Sequence, residues 1–152
     1  MKHKETVLLV DDEPAVRSAL ADLISGLGYR CIAAANAVDA MQIIEANLFK
    51  LDLLVTDIKM PGELDGLGLA IKARELQPDV AILLITGFAE APTMQQAASC
   101  GYRVLEKPFR QSRLEAAIAE ELGRRGGEGG GATEERGSSV VPIARARDRE
   151  RR

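Results

Sequence analysis

Thr6-Val7-Leu8-Leu9-Val10-Asp11-Asp12-Glu13-Pro14 is the stretch on which the fold turns. Four consecutive aliphatic side chains with no polar alternation describe a strand buried on both faces, the habit of a parallel sheet. Three acidic residues follow at once. Pro14 then opens a helical pattern in which Val16, Leu20, Leu23, Ile24 and Leu27 share one apolar face, with Gly28 just past its end. A strand, an acidic tip and an amphipathic helix make one βα unit.

The unit repeats. Further short apolar runs occupy Arg30–Ala34, Leu53–Thr56, Ala81–Ile85 and Val104-Leu105. Asn36 is placed to cap a second helix through Asn47 that buries Ala40, Ile43 and Ile44. A third helix spans residues 66–77 and is closed by Pro78, and a fourth spans 91–99 and stops at Gly101. The fifth starts near Ser112-Arg113-Leu114-Glu115, read as a capping box, and buries Leu114, Ile118 and Leu122. This alternation predicts an α/β fold: a (βα)5 doubly wound, five-stranded parallel sheet in the flavodoxin-like order 2-1-3-4-5.

Composition narrows the class. Apolar residues make up 46% of the 152, aromatics only 3% and Trp none, so the core has to be aliphatic. No apolar run approaches the roughly 20 residues of a membrane span, and the first run is too short for a signal-peptide core. The expectation is a cytoplasmic protein. Cys31 and Cys100 can build neither a disulfide framework nor a four-thiolate metal site; they read as reduced, half-buried thiols. Met41, Met60 and Met94 read as packing residues, and the lone His3 as neither metal ligand nor phosphodonor.

Near Gly123 the composition shifts. Residues 123–152 hold 7 of the 14 glycines and 8 Arg against 5 acidic residues, which leaves residues 1–122 with a net charge of −6. The chain is therefore read as a domain over 1–122 followed by a Gly/Arg-rich tail over 123–152, expected to be mainly disordered because it has too few large apolar groups to offset its ordering entropy. Val140-Val141-Pro142-Ile143 beside the Arg-rich end offers a partner something to hold, but a solvated tail is the plainer and preferred reading. Asp148 and Glu150 dilute the arginines and no aromatic is present to stack on bases, so nucleic acid is disfavoured.

In a doubly wound sheet, ligands bind beyond the carboxyl ends of the strands. Strand 1 ends in Asp11-Asp12-Glu13, strand 3 in Asp57, strand 4 in Thr86-Gly87 and strand 5 in Glu106-Lys107-Pro108. Two carboxylates about 4 Å apart repel by roughly 4 kcal/mol at an effective dielectric near 20. Lys107 supplies one positive charge, which is not enough, so a hard divalent cation is implied. An oxygen-only donor set without His or Cys suits Mg²⁺. A cation, a lysine and a threonine hydroxyl around an exposed aspartate can neutralise a phosphoryl group, which makes Asp57 a candidate nucleophile. The plainer alternatives are that Asp11 and Asp12 cap the first helix and that Thr86 satisfies backbone at a strand end.

Val7-Leu8-Leu9-Val10-Asp11-Asp12-Glu13-Pro14, Asp57-Ile58-Lys59-Met60-Pro61-Gly62, Thr86-Gly87 and Lys107-Pro108-Phe109 together resemble the signatures of a response-regulator receiver domain of the CheY-like family, in order and spacing over nearly all of residues 5–122. The resemblance implies that Asp57 is the phosphoacceptor. It implies Mg²⁺ held by Asp12 directly, by Asp11 through water, by Asp57 and by the backbone carbonyl of Lys59. It further implies that Lys107 pairs with the phosphoryl oxygens, that Thr86 moves its hydroxyl onto that group, and that the Lys107–Pro108 bond is cis. Three features depart from the family pattern. Val104 stands where an aromatic is common, with Tyr102 two residues earlier on the same side of the strand. The loop over residues 60–66 is one residue longer than usual. Lys59 and Phe88 occupy the positions two past Asp57 and Thr86, where the family tunes dephosphorylation.

The implied function is a phosphorylation-controlled switch that catalyses only its own phosphorylation and dephosphorylation. Its partners would be a sensor histidine kinase or histidine phosphotransferase and a downstream protein effector on the face of helix 4, strand 5 and helix 5, with homodimerisation open and no membrane contact. With no output domain after residue 122, the expectation is a stand-alone receiver. A phosphoryl shuttle or phosphate sink is the alternative, which the missing aromatic favours. A flavodoxin-like cofactor binder or a Mg²⁺-dependent phosphohydrolase is a third class, against which the absent phosphate loop and sparse aromatics speak.

Overall fold

In the computed structural model, which describes residues 4–88 and 90–126, the first strand β1 (Thr6–Val10) is wholly buried and lies at the centre of its neighbours. The order is β1, α1 (Pro14–Gly26), β2 (Arg30–Ala34), α2 (Ala37–Ala46), β3 (Leu53–Asp57), α3 (Gly66–Leu76), β4 (Ala81–Thr86), α4 (Ala91–Cys100), β5 (Arg103–Glu106) and α5 (Gln111–Gly126). The strands are all parallel and run β2-β1-β3-β4-β5, the expected doubly wound order.

The two faces of the sheet follow from the period of two. Leu8, Val10, Leu54, Ile82 and Leu84 share a cluster with Ala37, Ala40 and Ile44 of α2, Leu67, Ala70 and Ala73 of α3, and Ala97 of α4. The alternate residues Val7, Leu9, Leu53, Val55, Leu83 and Ile85 point the other way, where Ile24 of α1 and Leu114, Ala117 and Ile118 of α5 are buried. The largest fully buried side chains are all Leu or Ile, so the core is aliphatic as the composition requires. Each contributes roughly 1.5–3 kcal/mol relative to exposure.

Local signals set the element ends. Asn36 accepts the Asp39 N–H at 2.8 Å and caps α2, and Asp65 accepts the Gly68 N–H at 2.9 Å and caps α3. Gly101, at φ +78°, closes α4 in a left-handed conformation that costs a glycine little. Several details differ from the sequence reading. α5 begins at Gln111, so Ser112 lies inside the helix and caps nothing; the Arg110 carbonyl accepts the Arg113 and Leu114 N–H groups instead. That helix also continues past the composition shift, to Gly126. On α1 only Ile24 is wholly buried, the other stripe residues being half-covered beside the edge strand β2. Cys31 is half-buried as expected, with burial pushing its thiol up to about 11, but Cys100 is exposed because it ends α4 on the solvent side. The expectations about His3 and about the tail from 127 onward, Val140–Ile143 included, lie outside the described residues.

Candidate functional site

The carboxyl ends of β1, β3, β4 and β5 bring the predicted residues together. The β1–α1 junction carries Asp11 and Asp12, β3 ends on Asp57, β4 ends on Thr86, and Lys107 follows β5. Carboxylate oxygens of Asp11, Asp12 and Asp57 all lie within 4.8 Å of one another. Lys107 Nζ donates to Asp57 Oδ2 at 3.2 Å and stands 3.8 Å from Asp11 Oδ2. The Lys107–Pro108 bond is cis, as expected.

Capping does not account for the acidic tip. Glu13 occupies the N-cap of α1 and makes no side-chain cap bond. Asp11 is buried and accepts the Glu13 N–H at 2.9 Å, with its other oxygen turned to Lys107. Asp12 is exposed at the mouth. Asp11 and Asp57 share the Lys107 ammonium, and with Asp12 they form an arrangement of oxygen donors that fits Mg²⁺.

The electrostatics of Asp57 show which influence wins. Its side chain is only 12% exposed, and burial lifts its carboxyl above the usual carboxylate range. The hydrogen bond and charge of Lys107 pull it down, the charge of Asp11 pushes it up, and a backbone hydrogen bond from Lys59 pulls it down. Desolvation is the largest of these, so burial outweighs the lysine partner and makes the ionised carboxylate costlier than it is in water.

Thr86 is fully buried at the end of β4, and its hydroxyl is engaged with backbone: it accepts the Phe88 N–H at 3.1 Å and donates to the Phe88 carbonyl at 3.0 Å. Those two bonds must be released before the hydroxyl can reach a group on Asp57. Tyr102 and Val104 both pack against the α2/α3/α4 side of the core, as the period-two reading expects, and the Arg74 guanidinium lies 5.5 Å over the Tyr102 ring.

Two positioning residues escaped the sequence reading. Arg17 donates from Nη1 to the Asp11 carbonyl at 2.9 Å, fastening the acidic tip to the first turns of α1. Its signal was weak: one basic residue beside the apolar stripe. Gly66 opens α3 against the end of β3, where its N–H donates to the Ile58 carbonyl at 2.8 Å and an added Cβ would fall 2.0 Å from the Asp57 carbonyl oxygen. The glycine is needed because the backbones approach too closely for any side chain, a fact of tertiary contact that no spacing reveals.

With this geometry in hand, comparison with known proteins is decisive on family. The family model described as the response regulator receiver domain matches residues 7–119, and the chain belongs to that family. It is 36% identical over 118 residues to the sensor kinase CckA of Brucella abortus, covering 77% of this chain and 12% of that protein. It is 34% identical over 127 residues to the C4-dicarboxylate transport transcriptional regulatory protein DctD of Rhizobium meliloti, covering 82% and 27%. The chain thus spans well under a third of either relative. Among solved structures, the CheY-like receiver domain protein of Methanospirillum hungatei superposes with a TM-score of 0.77 at 28% identity, covering 83% of this chain and 99% of that one. The fold is the flavodoxin-like receiver fold of two-component systems. Among the described residues, no helix is long and apolar enough to cross a membrane.

Proposed function

We propose that the protein accepts a phosphoryl group on Asp57 from a phosphohistidine of a sensor histidine kinase or histidine phosphotransferase, and that this modification switches its protein contacts. One observation carries the reading: the Lys107 ammonium sits 3.2 Å from the Asp57 carboxylate inside a triad of carboxylates that needs more positive charge than it has. Asp57 Oδ forms the new P–O bond as the P–N bond of the donor breaks, and the leaving imidazole takes a proton from solvent. Lys107 faces the oxygens on which charge accumulates and needs no rearrangement to do so. Asp11, Asp12, Asp57 and the Lys59 carbonyl are the groups that would hold Mg²⁺, which when bound neutralises the carboxylates and the phosphoryl oxygens. Thr86 then leaves the Phe88 backbone for the phosphoryl group, and β4 transmits its shift to α4, β5 and α5, the surface proposed for a downstream effector or a second copy.

A second reading, a phosphoryl shuttle or sink, is favoured by Val104, which packs in the core without a ring that could swing outward with Thr86. A partner that binds only the phosphorylated form would oppose it.

Intact-protein mass after incubation with acetyl phosphate tests the phosphoacceptor. One phosphoryl adduct that needs both Mg²⁺ and Asp57 is the expected result. An adduct retained in Asp57→Asn, or no adduct together with no beryllofluoride binding, would overturn the assignment.

A further inference from the structure

Beside the site lies a constellation of side chains that the transfer chemistry does not use. Lys59 holds its Nζ 3.7 Å from Glu90 Oε2 and 5.3 Å from the centroid of the Phe88 ring. Lys59 belongs to the loop that follows β3, whereas Phe88 and Glu90 belong to the loop that follows β4, with Glu90 the N-cap of α4. The two loops leave neighbouring strands, Asp57 and Ile85 being register partners. One ammonium group therefore ties them together. Phe88 is 64% exposed, its backbone held by Thr86 and its ring lying under that cation.

The strength of this tie matters. An exposed lysine–carboxylate pair biases an equilibrium by a few-fold at most and is screened by salt. That is weak for a staple and suited to a contact that another anion can take over. The Lys59 backbone already bonds to the Asp57 carboxylate, and the flexible four-carbon stem of lysine brings its ammonium within reach of oxygens attached there. A phosphoryl group carries more negative charge than the single carboxylate of Glu90.

We propose that Lys59, Phe88 and Glu90 form a clasp that phosphorylation opens: the Lys59 ammonium transfers from Glu90 to the phosphoryl oxygens, and the first turn of α4 is released. This rests on Asp57 being the phosphoacceptor. It supplies a route from Asp57 to α4 that needs no aromatic at position 104. Glu90 acts through Lys59 and is a positioning residue.

Amide hydrogen exchange on the full chain tests the clasp, because the Met94 N–H donates to the Glu90 carbonyl at 2.9 Å and reports on that turn. In the wild type, Mg²⁺ and beryllofluoride should speed Met94 exchange several-fold, and so should raising salt from roughly 0.01 M to roughly 1 M without them. Lys59→Met leaves the charge of Glu90 at the helix N-terminus untouched, so any effect on α4 comes from the lost cation. It should already exchange a few-fold faster, gain nothing from salt and gain less than wild type from beryllofluoride, the Thr86 hydroxyl still being free to leave the Phe88 backbone, and Glu90→Gln should behave alike. Wild-type exchange in Lys59→Met at low salt would overturn the clasp. So would an unchanged Met94 amide in wild type whose bound beryllofluoride is visible by fluorine NMR. Absence of that fluorine signal would strike the assignment of Asp57 instead, and the comparison of untreated wild type with Lys59→Met would still decide whether the loops are tied.

Discussion

Asp11 and Asp52 are buried to the same degree, 2% exposed each, at opposite ends of the same sheet. Asp52 stands just before β3. Its carboxylate accepts the Thr6 N–H at 2.8 Å, its own N–H donates to the Thr6 carbonyl at 3.0 Å, and its carbonyl accepts the Ala81 N–H at 3.0 Å. It stitches the entries of three strands. Asp11 lies where the strands exit and faces Asp12 and Asp57 across less than 4.8 Å, with one lysine between them. Burial of a carboxylate therefore does not by itself mark a site. Both carboxylates meet donors; what marks the exit end is that the carboxylate of Asp11 meets other anions as well.

The contrast is broken most sharply by a pair of substitutions. Asp57→Asn should abolish phosphoryl uptake from acetyl phosphate while leaving the fold intact. Asp52→Ala should retain full uptake but lose about 1–3 kcal/mol in urea unfolding, because the Thr6 N–H is left buried without its acceptor. If Asp52→Ala lost uptake at unchanged stability, the division between the two ends would be wrong.

Gly66→Ala should combine both kinds of damage. A Cβ 2.0 Å from the Asp57 carbonyl oxygen cannot be accommodated by a side-chain rotation, since the obstacle is backbone. The start of α3 has to move away from β3, at a cost of about 3 kcal/mol, the upper part of the overpacking range. Asp57 and the loop carrying Lys59 move with it, so Mg²⁺ should raise the Tm of the wild type and have a weaker effect on this variant. Equal Mg²⁺ shifts in the two proteins would show that the close approach at Gly66 does not position the site.

Much of this was legible in the sequence, for identifiable reasons. The runs Val7–Val10, Leu53–Thr56 and Ala81–Ile85 are apolar at every position because they are covered on both faces, and such runs announce a parallel sheet without any partner being known. Asp57, Thr86 and Lys107 were legible because strand ends in a parallel sheet all point to one edge, so order along the chain converts into proximity. The rest depends on distances that spacing does not encode. Ser112 looked like a cap, but Arg110 already supplies the carbonyl that starts α5. Gly66 reads as a helix start until the Asp57 backbone is seen against it, and Glu90 is one acidic residue among 23 until Lys59 is found beside it.

The smallest expected effect lies in the pH dependence of stability, and it separates desolvation from charge pairing at Asp57. The folded carboxyl titrates above its ordinary 3.8, chiefly because burial disfavours the anion. Above the folded value the group is ionised in both states, and the folded state alone bears the desolvation cost. As pH falls through that value the native protein takes up a proton that the unfolded chain does not, so this group's contribution to stability rises. Below 3.8 both states are protonated and the cost is gone. Asp57→Asn has no charge at any pH, so the other titrating groups largely cancel in the difference. Without Mg²⁺ the variant should melt a few degrees higher than wild type at neutral pH, and the gap should close on acidification toward 3.8. With Mg²⁺ present at neutral pH the gap should shrink or reverse, because cation binding needs the ionised carboxylate. A wild type that outlasts Asp57→Asn without Mg²⁺ at neutral pH would mean that the bond to Lys107 outweighs burial, and that the triad is stable without a cation.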